Sequence, residues 1–83
     1  MKPKGPTFFG YSSRIVKLNK KANGRLLGVQ LGRACITNDV SVAHVAGTLG
    51  VSRQTVYNWF TGVNNPQEGL IKRVQVYLKK LTV

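Results

Sequence analysis

The sequence predicts an all-α fold of four helices, preceded by a basic, largely irregular N-terminal arm. Two observations carry the prediction. Val42, Val45, Ala46 and Leu49 recur at helical spacing, and after an interruption at Gly50 so do Val56, Trp59 and Phe60. Residues that start helices stand where each run needs them: Ser41 and Ser52 as N-caps, then Asn65-Pro66-Gln67-Glu68 as cap, first-turn proline and capping-box acid.

Residues 1–14, MKPKGPTFFGYSSR, hold Pro3, Gly5, Pro6 and Gly10 and show no helical period. They read as an arm whose charges are Lys2, Lys4 and Arg14. A backbone- or groove-following role, packing on the domain and disorder all fit the arm, although Phe8, Phe9 and Tyr11 are aromatics that usually find a surface. Ile15 to Leu18 suit either an extended piece or the lead into a helix. Lys17, Lys20 and Lys21 form a basic knot, which serves as a solvated face or as a phosphate contact. Residues 1–22 are therefore assigned to the arm and lead-in, and residues 23–83 to the domain.

The first predicted helix runs from Asn23 or Gly24 to Ile36, with Leu27, Leu31 and Ala34/Cys35 as its core stripe. Gly24, Gly28 and Gly32 repeat along a neighbouring ridge. Each interior glycine costs about 1 kcal/mol relative to alanine, so packing must hold this helix. The ridge predicts close approach of another helix of the same domain, with a second subunit as the alternative. Thr37, Asn38 and Asp39 end the helix, and Cys35 reads as a small core residue.

The second predicted helix is Val42–Leu49. Its end is marked by Gly50, which adopts the left-handed conformation without strain. His44 lies off the apolar stripe and reads as a surface residue. The third runs from Arg53 to Phe60 or Thr61. Val40 with Val45 and Val51 with Val56 have hydrophobic-staple spacing, which fixes the direction in which the chain enters these two helices. The fourth continues from the Asn65 cap to about Leu81, with Leu70, Val74, Tyr77, Leu78 and Leu81 inward and Lys72, Gln75 and Lys79 outward.

Thirteen Lys and Arg against two acidic residues give a net charge of +11 in 83 residues. Such a charge predicts attraction to polyanions: nucleic acid, anionic membrane or acidic protein. A single cysteine forms no intrachain disulfide and builds no metal site with one histidine. No apolar run approaches the roughly 20 residues of a membrane span, and the N-terminus lacks the apolar stretch of a signal peptide. The expectation is a soluble cytoplasmic, nucleoid-associated protein. Asp39 and Glu68 are the only carboxylates, and both have structural explanations at helix starts. No acid/base pair or nucleophile constellation is present, so no enzyme, cofactor or small-molecule substrate is expected.

The stretch LGVSRQTVYNWFTG, with Ala46 four residues before Gly50 and the ending Trp59, Gly62, Pro66, resembles the lambda-repressor-like (Cro/repressor type) helix-turn-helix family. The matching motif covers residues 41–66. The resemblance implies that the third predicted helix enters the major groove of double-stranded DNA, with Arg53, Gln54 and Asn58 reading bases and Tyr57 beside them. Arginine forks onto guanine, and Gln or Asn pairs adenine. It further implies a phosphate clamp at Ser41 and the amides opening the second helix. Ser52, Thr55 and Thr61, exposed polar neighbours of the reading set, are the expected contacts to the DNA backbone, and Asn64 matches the loop that follows the backbone in relatives. Lys17, Lys20 and Lys21 would add sequence-independent affinity. The lead-in before the first helix is longer than the family's usual one. Little chain follows the fourth helix for a dimerisation element, which leaves a monomer on one half-site or a homodimer on DNA. The function expected is that of a phage- or prokaryotic-type transcriptional regulator that reads its DNA sequence. The alternatives are an architectural or packaging protein with weak sequence preference, and a basic module that binds an acidic protein or RNA.

Overall fold

The computed structural model describes residues 11–82, which form five helices and no strand. These are α1 (Ser13–Lys21), α2 (Leu27–Thr37), α3 (Val42–Leu49), α4 (Arg53–Phe60) and α5 (Glu68–Thr82). The all-α class is therefore observed, but the helix number is corrected from four to five. Part of the segment assigned to an irregular arm is helical, and Arg14 lies in the first turn of α1. Lys2 and Lys4 lie outside the described residues.

Helix α1 forms because Ser12 caps it, its side chain accepting the Ile15 N–H at 3.3 Å, and because Lys20 and Lys21 suit its C-terminal dipole. Its inward face carries Ile15, Val16 and one polar residue, Asn19, which is buried. The Asn19 amide donates to the Val29 carbonyl (3.2 Å) and the Phe60 carbonyl (2.7 Å), joining α1 to both α2 and α4. Arg33 of α2 completes the attachment. Its guanidinium donates to the carbonyls of Asn19, Lys20 and Ala22, at 3.3, 3.2 and 3.1 Å, and so satisfies the open end of α1.

Helix α2 starts at Leu27, later than Asn23 or Gly24, because residues 23–26 form a turn. There the Leu26 N–H reaches the Asn23 carbonyl at 3.1 Å and the Asn23 side chain takes the Arg25 N–H. Leu31 and Cys35 are fully buried, as is Val29, which lies off the expected stripe. Gly28 and Gly32 of the glycine ridge face α4, whereas Gly24 lies in the turn before α2 and meets the Arg33 side chain. A Cβ on Gly28 would lie 2.7 Å from Trp59 Cβ and 2.8 Å from the Trp59 carbonyl oxygen, and one on Gly32 would lie 2.8 Å from Phe60 Cγ. Close approach of helices within one domain accounts for Gly28 and Gly32. At its C-terminus α2 turns through Asp39 at φ +58°, and the Val40 N–H returns to the Cys35 carbonyl at 2.9 Å.

Helices α3 and α4 keep their expected bounds and caps. Ser41 accepts the His44 N–H and Ser52 the Thr55 N–H, both at 3.1 Å. Gly50 is left-handed at φ +72°, and the N–H groups of Gly50 and Val51 both reach the Ala46 carbonyl. Gly62 ends α4 in the same way at φ +80°, with the Val63 N–H on the Asn58 carbonyl at 2.9 Å. Helix α5 begins at Glu68, so Asn65 and Pro66 do not open it. Pro66 is buried, and the first turn closes instead between the Leu70 N–H and the Gln67 carbonyl at 2.8 Å.

The core gathers Leu31 and Cys35 of α2, Val42, Val45, Ala46 and Leu49 of α3, Val56, Trp59 and Phe60 of α4, and Val74 of α5. Leu70, Tyr77, Leu78 and Leu81 pack around it. Tyr11, just ahead of α1, is part of this core. Its ring lies 6.0 Å from that of Phe60, and its hydroxyl donates to the Val40 carbonyl at 2.6 Å. Burial raises the pKa of Tyr11, with Cys35 adding to it, and burial alone pushes the Cys35 thiol up to about 12. No described helix is long and apolar enough to cross a membrane.

Candidate nucleic-acid interface

Helix α4 is buried on one side by Val56, Trp59 and Phe60, which fixes what its other side presents. Arg53 and Gln54 are exposed in its first turn, and Asn58 follows one turn later, half-buried. Gln54 and Asn58 lie at i, i+4 spacing, and the Gln54 amide nitrogen donates to Asn58 Oδ1 at 3.0 Å. This bond aligns the two amide side chains along one line of the helix. Tyr57 is half-buried and packs on the core with its neighbours.

The polar residues around this line divide into two groups. On one flank, a shallow groove of about 280 Å³ is lined by Arg14, Ile15 and Leu18 of α1 and by Gln54, Tyr57, Asn58 and Thr61. On the other, a cleft of about 660 Å³ at the start of α4 is lined by Ser52, Thr55, Asn64, Asn65 and Gln67, with Trp59 and Leu70 among the apolar contributors. Helix α4 thus stands as a ridge between two grooves, with a cation at the edge of the first and amide side chains in the second.

The sequence expectations fall into place unevenly on this geometry. Arg53, Gln54, Tyr57 and Asn58 share α4, and Arg14 lies beside three of them. Ser52, Thr55 and Asn64 meet in the second groove. The Ser52 and Thr55 hydroxyls are 2.8 Å apart, and the Thr61 hydroxyl donates to the Tyr57 carbonyl at 2.9 Å, so these three groups already have partners. Lys17 and Lys21 are exposed on α1, whereas Lys20 borders a different groove with Val16, Asn19 and Arg33. Ser41 caps α3 and lines neither groove beside α4. Sequence reasoning missed the role of α1 in forming the first groove. The signal was present in Leu18, an apolar residue that is 39% exposed at that groove.

Electrostatics reinforce the arrangement. None of α1 to α4 has an acidic residue in its first turn, so their N-terminal dipole ends are not neutralised locally. Arg53 adds a full charge at the start of α4. Arg33, in contrast, is engaged at the end of α1, where its guanidinium donates to the Lys20 and Ala22 carbonyls, and serves structure. No family model, curated protein or solved structure matches the chain.

Proposed function

We propose that this chain is a DNA-binding protein of repressor-like helix-turn-helix type, in which α3 and α4 form the motif and α4 lies in the major groove. The observation that carries the reading is the polar face of exposed Arg53 and Gln54 and half-buried Asn58 on a helix whose opposite side is locked in the core. These side chains offer the bidentate donors and acceptors that distinguish base pairs in the major groove. Arg14 supplies a cation beside α4 for the adjacent phosphates, Lys17 and Lys21 add exposed charge on the same helix, and the amides of the second groove extend the polar surface on the other flank. The net charge of +11 adds sequence-independent attraction. In this reading the protein is a transcriptional regulator with no catalytic step, occupying a site and thereby altering polymerase access.

Selection of random duplexes at about 150 mM salt tests the proposal, because non-specific phosphate binding weakens sharply there. An enriched motif that loses its preference in Arg53→Ala supports it, and half-sites about 10 bp apart would identify a dimer on DNA. Retained low-salt binding without any motif would replace operator reading by an architectural role. Absence of duplex binding at low salt would end the DNA reading altogether.

A further inference from the structure

A third groove lies between the C-terminal turn of α3 and the outer face of α5, and it shares no lining residue with the two beside α4. It measures about 530 Å³. Its floor is Leu49, Gly69, Val76 and Tyr77, and its rim is Lys72, Arg73 and Lys80. Val76 is 49% exposed, an unusual place for a valine on a highly charged helix. Nothing lies within 4 Å of where a Cβ on Gly69 would stand, so the backbone there is open to close approach. At one end the Tyr77 hydroxyl and His44 Nδ1 are hydrogen-bonded at 2.8 Å, which holds the Tyr77 ring against α3.

We propose that this groove docks an amphipathic helix of a partner protein whose apolar stripe is flanked by acidic side chains. Apolar floor and cationic rim call for two properties in one ligand. A partner helix supplies both, with its leucine-like residues over Val76 and Gly69 and its carboxylates facing Lys72, Arg73 and Lys80. From Gly69 to Lys80 the groove follows α5 for about 16 Å, the length of about three helical turns. A second copy of this chain fits poorly, because it would set the same three cations against their counterparts. The DNA backbone matches the rim but has no apolar surface for the floor. The inference is independent of the proposed DNA reading.

The probe is a synthetic amphipathic helix with leucines on one face and glutamates on both flanks, titrated into the isotopically labelled full chain. Shifts are expected to centre on Thr48, Gly69 and Val76. Val76→Ser and Gly69→Gln should each weaken the peptide roughly tenfold, and Gly69→Gln also favours the helix, so its loss cannot be ascribed to unfolding. Lys72→Gln with Lys80→Gln should lower affinity more than Lys17→Gln with Lys20→Gln, which removes equal charge elsewhere. The proposal is overturned if the two pairs lose equally or if Val76→Ser binds normally. It is likewise overturned if polyglutamate binds as tightly as the amphipathic peptide, if duplex DNA displaces the peptide from these residues, or if the shifts centre on α1 and α4.

Discussion

The side chain of Asn19 donates a 2.7 Å hydrogen bond to the backbone carbonyl of Phe60, 41 positions further along the chain. The carbonyl belongs to the last turn of α4, where no further helical N–H is in line to take it. The same amide reaches Val29, so one buried polar group holds three helices together. Asn19→Ala should destabilise the protein by about 2 kcal/mol, because it leaves a buried carbonyl without its partner. Urea unfolding measures the loss, and amide exchange should show α1 opening before the rest.

Two glycines should respond in opposite directions to the same change. Gly28→Ala places a methyl 2.7 Å from Trp59 Cβ, and the backbone atoms beside it cannot yield cheaply. Its helix-propensity gain is outweighed, and a net loss of about 1–3 kcal/mol is expected. Gly47 has nothing within 4 Å, so Gly47→Ala should stabilise by about 1 kcal/mol. Paired thermal melts decide both.

Stability should fall as the solution becomes alkaline. The Cys35 thiol titrates at about 12 in the folded protein, whereas an unfolded chain loses that proton near its ordinary value of 9.0. Between these limits the unfolded state binds fewer protons, so stability is whole below about pH 9 and declines above it. The slope contributed by one such group approaches about 1.4 kcal/mol per pH unit. Tyr11, also raised by burial, acts in the same direction at higher pH. Urea midpoints across the range test this, and Cys35→Ala should flatten the first part of the decline. Thiol reagents should label Cys35 only as fast as the domain opens.

Arg53 and Arg14 should separate sequence reading from charge. Under the proposed function, Arg53→Ala costs about 1–3 kcal/mol on the preferred duplex and relaxes preference at the base it contacts. Arg14→Gln weakens all duplexes alike and reduces the salt slope by about one. Titrations on preferred and scrambled duplexes at several salt concentrations distinguish the two.

The α3–turn–α4 region was legible in the sequence because its determinants are local. Ser41, Ser52 and Gly50 act on backbone groups within a few residues, and the apolar spacing sets the phase of α4, hence the outward placing of Arg53 and Gln54 with half-buried Asn58 beside them. Helix α1 was not legible, because what holds it comes from far along the chain. Asn19 reads as polar and therefore exterior until Val29 and Phe60 are beside it, and Arg33 reads as a free surface charge until the carbonyls at the end of α1 engage it. Arg14 was singled out as a charge of the arm, but the helix that sets it beside α4 was missed for the same reason. The start of α5 was displaced because Asn65-Pro66 fits a helix opening locally, while the buried Pro66 belongs to the loop that leads there.

Gly28 lets the Trp59 backbone of α4 rest directly on α2, and Gly32 makes room there for the Phe60 and Asn19 side chains. The seat of α4 is therefore set entirely by residues on its hidden side. Arg53 and Gln54, which have no place in that seat, are free to be exchanged at a cost usually within about 0.5 kcal/mol of stability. Under the proposed function the molecule separates its mount from its reading head: a lineage could then acquire new targets by altering the outer line of α4 while the fold beneath it stays unchanged.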